Sequence, residues 1–292
     1  MAPAWMNSNF DGDNNKKKKV LFIMGATGTG KSKLSINLGT QFPCEIINSD
    51  KIQVYKGLDI VTNKIPQSQQ CDIPHHLLSI IDDPDYDFTA NDFCKHVHDA
   101  LDIIIENNGH IPIIVGGSNS YLEALVDDEF RSNYECCFIC LDVSLPVLFE
   151  YLDRRLDEMV DAGAVDEIRR EAFLPNNNGD YSRGIRRAIG VAEFHSYLHI
   201  ENDPSVDEAY KKQVFDHAIN STKINTHKLA ENQVMKINRM INQLGWKMTR
   251  IDSTPVFEAM LGGQEDYMHI YHQLVFKPAL EMARMFLDTH QE

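Results

Sequence analysis

The sequence predicts an α/β fold in which a parallel sheet is flanked by helices and carries a helical insertion. Short apolar runs alternate with helical patterns in the first half of the chain, and long amphipathic patterns dominate after Pro146. This alternation is typical of strands that lie parallel and are covered on both faces. With 292 residues and 43% hydrophobic content, the chain is long enough for one main domain and a smaller unit.

The first half begins with a polar segment at residues 1–19, which ends in lysines and is typical of a disordered arm. An apolar run at residues 20–24 then enters a glycine-rich segment, and helical spacing follows from Lys31 until Pro43. Further short apolar runs occupy residues 45–48, 111–115 and 137–143. We therefore expect a strand–loop–helix unit followed by more buried strands.

The second half predicts a helical insertion at residues 149–210, set between core segments 20–148 and 211–292. Within the insertion, residues 174–184 are rich in turn formers and predict a mobile loop. One more strand is expected near residues 245–254, and a closing helix is expected from Gln264 onward.

Composition argues against several classes of protein. A formal charge of −15 disfavours a broad nucleic-acid surface, which needs clustered lysines and arginines. No apolar run is long enough to cross a bilayer, and the first residues lack a secretory or transit pattern. We expect a cytoplasmic protein with six unpaired, mostly buried cysteines, and a plastid location if the N-terminus has been trimmed. The oligomeric state is not determined by the sequence, and we favour a monomer.

The segment "GATGTGKS" at residues 25–32 has the spacing of a phosphate-binding loop. Gly25 and Gly30 are separated by four residues, and Lys31 and Ser32 follow at the start of the predicted helix. Glycines allow backbone amides to turn toward an anion, the helix N-terminus adds its dipole, and the lysine adds charge. This context predicts a P-loop NTPase-like sheet that binds a phosphate group, with Mg²⁺ held at Ser32.

Two aspartates follow predicted strands at the edge where open sheets of this class bind ligands. Asp50 lies just beyond residues 45–48, and Asp142 closes another apolar run. We interpret Asp50 as an acid–base residue, with a turn cap as the alternative. Asp142 is a candidate for orienting magnesium in a kinase or a nucleotide-hydrolysing enzyme.

A series of motifs resembles those of the isopentenyltransferases, which alkylate the exocyclic amine of adenine. They run in order from about residue 20 to beyond residue 252, as "GATGTGKS", "EIINSDKIQVYKGLDIVTNKI", "DIPHHLL", "DFTANDF", "PIIVGGSNSYLEALV", "YLDRRLDEMVDAGAVDEI", "GIRRAIGVAEF" and "INTHKLAENQVMKI". In that family the loop holds the diphosphate of dimethylallyl diphosphate, and the acceptor is an adenine in transfer RNA or a free adenine nucleotide. The resemblance therefore implies prenyl transfer, with the nucleotide bound elsewhere than in the loop.

The resemblance also implies roles for matched residues. Asp50 matches the family's general base, Thr27 matches a threonine near the reacting centre, and Lys31 would stabilise the departing diphosphate. The groups implied to bind the diphosphate are Gly25, Gly28, Thr29, Gly30, Lys31, Ser32, Arg155 and Lys223. Asn232 stands where the family often has arginine, so one anion contact is missing or replaced.

On the acceptor side, Ser118 stands where many members of the family have threonine, and Arg186 and Arg187 are candidates for contacts to nucleotide phosphates. The acidic charge, the absence of a Cys/His zinc module and the "GIRRAIGVAEF" motif favour free ATP or ADP, with AMP less favoured, as in the plant subgroup that begins cytokinin synthesis. Two alternatives stay open. They are a transfer RNA dimethylallyltransferase and, more remotely, a small-molecule kinase with Arg154 and Arg155 as a lid.

Overall fold

The computed structural model describes residues 17–172 and 180–289. The strands of its sheet are β1 (Lys18–Gly25), β2 (Cys44–Asn48), β3 (His75–His76), β4 (Ile111–Val115), β5 (Tyr134–Asp142) and β6 (Met248–Asp252). Within the described residues they lie in the order β3-β2-β4-β1-β5-β6, and each neighbouring pair is parallel. The predicted parallel sheet is therefore confirmed.

Helices connect the strands and cover the sheet. They are α1 (Lys31–Gly39), α2 (Ala90–Leu101), α3 (Asn119–Leu125), α4 (Asp128–Asn133), α5 (Leu145–Asp161), α6 (Ala164–Glu171), α7 (His195–Ile200), α8 (Glu208–Asn242), α9 (Thr254–Leu261), α10 (Tyr267–Tyr271) and α11 (Lys277–Asp288). Short 3₁₀ turns occur at Gln67–Gln69 and Gly184–Arg187, and π-helical segments at Asp102–Asn107 and His272–Phe276.

The two faces of the sheet pack into two hydrophobic layers, because successive side chains of a strand point to opposite faces. Phe22 of β1 lies in one layer with residues of α2 and α3 such as Phe93 and Leu122. Its neighbours Leu21 and Ile23 lie in the other layer, with residues of α1, α9 and α11. Strands buried on both faces explain why the strand sequences are continuous apolar runs.

Several expectations about boundaries are tested by these elements. β1 begins at Lys18, so the end of the predicted arm is wrong: the Lys19 ammonium donates to the carbonyl of Phe286 at 2.6 Å and is fixed in the fold. Residues 1–16 and most of the predicted mobile loop, at 173–179, lie outside the described residues. α8 is one helix of 35 residues that crosses the expected boundary at residue 211, and the division into two domains stays a prediction.

The cysteines are all free thiols, as predicted. Cys44 and Cys140 are buried, and burial raises the pKa of each thiol to about 12. Cys71 is exposed, so the expectation of burial does not hold for it. In the part of the chain that the structure describes, no helix has the length and apolarity needed to span a membrane.

Candidate active site

A cavity of about 630 Å³ opens at the carboxyl ends of β1, β2 and β4. The loop after β1, Asp50 after β2 and the glycine pair Gly116 and Gly117 after β4 line it from the sheet side. Helices α5, α6 and α8 close it from the other side with residues such as Arg155, Ile168 and Gln233. This is the edge at which open α/β sheets bind ligands.

The loop after β1 has the backbone of an anion cradle. Gly28 and Gly30 have φ values of 83° and 90°, which favour glycine, and Gly30 precedes α1 without a side-chain cap. The amides that open α1 are therefore available to an anion. Gly25 has a different role, because it does not line the cavity and an added Cβ would lie 2.6 Å from the Leu141 carbonyl oxygen.

Lys31 is the main cation of the cavity. Its Nζ donates to the Ala26 carbonyl oxygen at 2.6 Å. The pKa of Lys31 is lowered to about 8, chiefly by burial; the carboxylate of Asp50 opposes this shift, and the nearby Arg155 adds to it. A buried ammonium without a carboxylate hydrogen-bonded to it stabilises an incoming anion more than an exposed one would.

Arg155 of α5 lies beside the loop, where the resemblance places it. Its Nη2 lies 3.4 Å from Thr27 Oγ1, and its Nε is buried with no hydrogen-bond partner among the described residues. Burial also lowers the pKa of the Arg155 guanidinium. A buried guanidinium with an unused donor is suited to bind an anionic ligand.

Asp50 lines the cavity where β2 ends. Its Oδ1 accepts the Ile52 amide at 2.9 Å and the Gln53 amide at 3.4 Å, so the carboxylate caps its own turn. The turn-cap and acid–base interpretations are compatible, because one carboxylate oxygen is sufficient for the turn. Asp50 is also close enough to Lys31 to affect the pKa of that lysine.

Four candidates from the sequence have other contacts in this structure, and their expected ligand contacts stay predictions. Lys223 pairs with Asp157 at 2.8 Å, and Ser118 Oγ accepts the Lys51 amide at 2.9 Å. Arg186 is buried against Asp85, and Asp142 pairs with Arg250. None of these four side chains lines the cavity.

A second cationic group lies on the cavity wall away from the loop. Arg187 lines the cavity, and its Nη2 pairs with Asp87 Oδ1 at 2.9 Å. Lys51 also lines the cavity; burial lowers the pKa of its ammonium, and the charge of Arg187 lowers it further. Because the two positive charges repel each other, an anion placed between them would be stabilised.

Gln233 is a site residue to which the sequence analysis assigns no role. Its Oε1 accepts the Thr27 amide at 2.7 Å, and its Nε2 donates to the Gly117 carbonyl at 3.0 Å. This buried amide joins α8 to both the phosphate loop and the β4 turn. The helical spacing of Thr226 and Gln233 was the available signal, and both line the cavity.

Apolar side chains form part of the cavity wall. Those on the helical side are Leu152, Leu156, Met159, Val160, Ala164, Ile168 and Phe194. Such a surface suits a short hydrocarbon group and excludes water from it. The cavity therefore combines an anion-binding loop, an apolar surface and a carboxylate.

No cluster of histidine, cysteine, aspartate or glutamate in residues 17–172 and 180–289 has the arrangement of a metal site. Ser32 nevertheless lines the cavity directly after Lys31. Mg²⁺ is commonly held by one or two protein oxygens together with phosphate oxygens and waters. The donor set thus fits a Mg²⁺ ion that is bound mainly by a phosphorylated ligand.

The IPP transferase family model matches residues 53–133 and 127–240. The chain belongs to the IPP transferase family. Adenylate isopentenyltransferase 5 of Arabidopsis thaliana is 51% identical over 83% of this chain and 73% of its own length. Adenylate isopentenyltransferase 3 of the same plant is 45% identical over 93% and 80%, and the Humulus lupulus adenylate isopentenyltransferase is 37% identical over 91% and 89%.

Solved structures place this IPP transferase among enzymes with the same fold. A eukaryotic dimethylallyltransferase acting on tRNA is 25% identical, with a TM-score of 0.75 over 94% of this chain and 81% of its own. The Bacillus halodurans tRNA isopentenylpyrophosphate transferase has a TM-score of 0.62 and 25% identity, over 91% of this chain and 99% of its own. The resemblance seen in the motifs and the expected P-loop NTPase-like fold are both confirmed.

Proposed function

We propose that this IPP transferase transfers the dimethylallyl group of dimethylallyl diphosphate to the exocyclic N6 amine of a free adenine nucleotide and releases diphosphate. One observation carries the proposal: the phosphate loop, the Asp50 carboxylate and a set of apolar side chains line a single cavity. An allylic diphosphate needs an anion site next to a hydrocarbon site, and an amine acceptor needs a proton acceptor nearby.

At the donor end, the loop amides, Lys31 and Arg155 bind the diphosphate. The allylic C–O bond breaks and its electron pair leaves with the diphosphate, so these groups stabilise charge that grows in the transition state. Mg²⁺ held by Ser32 and diphosphate oxygens would supply further positive charge to the leaving group. The Thr27 hydroxyl lies 3.4 Å from Arg155 Nη2 on the cavity wall and orients this end of the donor.

At the acceptor end, the N6 amine forms the new C–N bond and loses one proton. Asp50 accepts that proton, since the amine becomes acidic only as the bond forms. The Asp50 oxygen that is bonded to the turn amides fixes the direction of the carboxylate. Chemistry then depends on holding the amine in line with the breaking bond.

The cationic pair Arg187 and Lys51 supports a free nucleotide as the acceptor. The pair lines the same cavity as the loop and is suited to the phosphates of an adenine nucleotide. The curated relatives that are 40–51% identical are named adenylate isopentenyltransferases, and the net charge of −15 disfavours a large RNA surface. We expect ATP and ADP to be preferred to AMP, because more phosphate charge faces these cations.

Transfer RNA is the second candidate acceptor. It is favoured by the TM-score of 0.75 with the eukaryotic dimethylallyltransferase acting on tRNA. Folds support several substrates, so that likeness weighs less than the sequence identity with the adenylate enzymes.

The deciding experiment incubates the protein and Mg²⁺ with dimethylallyl diphosphate and either ATP, ADP, AMP or an anticodon stem-loop that contains adenosine. We expect dimethylallyl-ATP and dimethylallyl-ADP by mass spectrometry. Prenylation of the stem-loop alone would select the second candidate. A phosphorylated small molecule formed from ATP without the prenyl donor would instead identify a kinase.

Location and assembly complete the proposal. We propose a monomer in the cytoplasm, with an organelle as the alternative because six of the relatives are named chloroplastic or mitochondrial. Light scattering of the purified protein and imaging of a fluorescent fusion to the native full-length chain test these two points.

A further inference from the structure

A segment of residues 56–64, which we call the strap, follows the Asp50 turn and runs along the cavity. Val61 and Thr62 of the strap line the cavity wall, and Asn63 lies next to them on the same wall. Because the strap belongs to the connection between β2 and β3 and has no strand or helix of its own, groups outside it must hold its shape.

Glu167 of α6 holds the strap from the helical side. Its carboxylate accepts the Ile60 amide at 3.0 Å and the Val61 amide at 2.9 Å. Glu167 is only 5% exposed. A buried carboxylate is costly unless hydrogen bonds compensate its lost hydration, and here the compensating donors are strap amides.

The strap has a conformation that requires such support. Leu58 and Asn63 have φ values of 49° and 52°, which are unfavourable for residues other than glycine. Glu171 Oε2 accepts the Leu58 amide at 2.6 Å, and Lys64 Nζ donates to the Tyr55 and Gly57 carbonyls at 2.6 Å each. Contacts at both ends of the strap therefore fix the position of the wall residues between them.

Hydrogen bonds continue from the strap to the proposed base. Gln53 Nε2 donates to the Thr62 carbonyl at 2.9 Å, and the Gln53 amide donates to Asp50 Oδ1 at 3.4 Å. Gln53 thus joins the far side of the strap to the carboxylate. Hydrogen bonds among the described residues thus connect Glu167 to Asp50 by way of the strap and Gln53.

We propose that Glu167 is a positioning residue, which orients the Asp50 carboxylate toward the acceptor amine through the strap and Gln53. This inference rests on the proposed function, in which Asp50 accepts the amine proton. The phosphate loop is held by other contacts, since Gln233 bonds to the Thr27 amide. Glu167 therefore acts on the acceptor chemistry and leaves diphosphate binding unchanged.

Glu167→Gln is the informative variant. Glutamine keeps the length of the side chain, but either orientation of its amide replaces with NH₂ an oxygen that accepts the Ile60 amide, Oε1 at 3.1 Å or Oε2 at 3.0 Å, so at least one hydrogen bond is lost. Because small displacements of a catalytic group are costly, we expect kcat to fall roughly 10-fold or more. The Kd for inorganic diphosphate, measured by calorimetry, should equal that of the wild type.

The matched control is Asp166→Asn, which removes the same charge from the preceding residue of α6. Asp166 is exposed and pairs with Arg169, away from the strap. We expect it to keep wild-type kcat. An equal loss of kcat in this control would overturn the proposal, because the effect would then come from the charge of α6.

A double-mutant cycle with Asp50→Asn separates positioning from general damage to the fold. If Glu167 acts through Asp50, E167Q should lower kcat much less in the D50N background than in the wild type. Equal losses in both backgrounds, or a weaker Kd for inorganic diphosphate in E167Q, would show that Glu167 is a structural residue. Gln53→Met breaks the same connection without altering α6 and should reproduce the kcat loss; an unchanged kcat in Q53M refutes the route through Gln53.

Hydrogen–deuterium exchange tests the contact without relying on turnover. We expect faster exchange at the amides of Ile60 and Val61 in E167Q, and wild-type exchange in D166N. Unchanged protection of these amides in E167Q would contradict the positioning role even if activity falls. In a further outcome, the wild-type protein prenylates no adenine nucleotide while E167Q still exchanges the Ile60 and Val61 amides faster than the wild type. That result would reject the proposed function and retain the contact between Glu167 and the strap.

Discussion

Replacement of Lys31 by methionine should stabilise the unliganded protein while it removes diphosphate binding. Lys31 is placed in the cavity with no described carboxylate hydrogen-bonded to it, and burial lowers the pKa of its ammonium from 10.5 to about 8. Methionine has a similar length and no charge. The Ala26 carbonyl oxygen that accepts Nζ also accepts the Thr29 hydroxyl at 2.9 Å, so it keeps a partner.

The size of the effect follows from the pKa. Each unit of pKa difference corresponds to about 1.4 kcal/mol, so a pKa of about 8 in the folded state against 10.5 in the unfolded state sets an upper limit of about 3.5 kcal/mol. Between these two pH values the unfolded state binds more protons, so wild-type stability rises with pH. The cost of Lys31 is complete below pH 8 and disappears above pH 10.5. We expect Lys31→Met to gain about 1–3 kcal/mol at pH 7 and nothing at pH 10.5.

Urea denaturation in the presence of a chelator and without diphosphate measures this difference at each pH. Lys95→Met, at an exposed position of α2, is the control and should leave stability within about 0.5 kcal/mol of the wild type. Added diphosphate should raise the stability of the wild type and the control, but not of Lys31→Met. The reasoning is refuted if Lys31→Met is less stable than the wild type at pH 7, or if its effect does not change with pH.

Three further outcomes are expected. Asp50→Asn should lower kcat by roughly 10²-fold with little change in the Kd for diphosphate, because asparagine keeps the turn acceptor and loses the base; near-normal kcat with weak diphosphate binding would make Asp50 a loop-organising residue. Excess chelator should abolish turnover and added Mg²⁺ should restore it, whereas full activity in chelator would exclude a required metal. Arg187→Ala should raise the KM for ATP in steady-state kinetics, while Arg186→Ala should mainly lower Tm in thermal melts because Arg186 is buried against Asp85. If Arg186 were the phosphate ligand, Arg186→Ala would instead raise the KM for ATP and Arg187→Ala would not.

The phosphate loop and the order of strands and helices could be predicted because their determinants are local. Eight consecutive residues contain the glycines, the lysine and the serine of the loop, and apolar runs of strand length mark the buried strands. Asp50 could also be predicted, because the carboxyl end of β2 must face the ligand in a sheet of this class.

The remaining site residues depend on rotations that the sequence pattern does not determine. Successive residues of a helix are rotated by about 100° about its axis, so neighbours face different surroundings. On α8, Thr222 and Thr226 line the cavity, whereas Lys223 pairs with Asp157. Arg186 and Arg187 are neighbours in one 3₁₀ turn, yet one is buried against Asp85 and the other lines the cavity.

Contacts between distant parts of the chain also could not be predicted from the sequence. Glu167 reaches the Val61 amide across 106 positions, and Gln233 reaches the Thr27 amide across 206. An amphipathic pattern indicates that a helix packs, but it does not indicate which loop amide a polar side chain on its buried face will bind.

The choice of acceptor is the central claim, and competition between acceptors tests it most directly. The wild-type protein is given Mg²⁺, limiting dimethylallyl diphosphate, and ATP together with an adenosine-containing anticodon stem-loop, and kcat/KM is obtained for each from the two product masses. We expect a higher kcat/KM for ATP, with the dimethylallyl group located on N6 by fragmentation of the product. A higher kcat/KM for the stem-loop, or prenylation of the RNA alone, would contradict the claim that the acceptor is a free nucleotide.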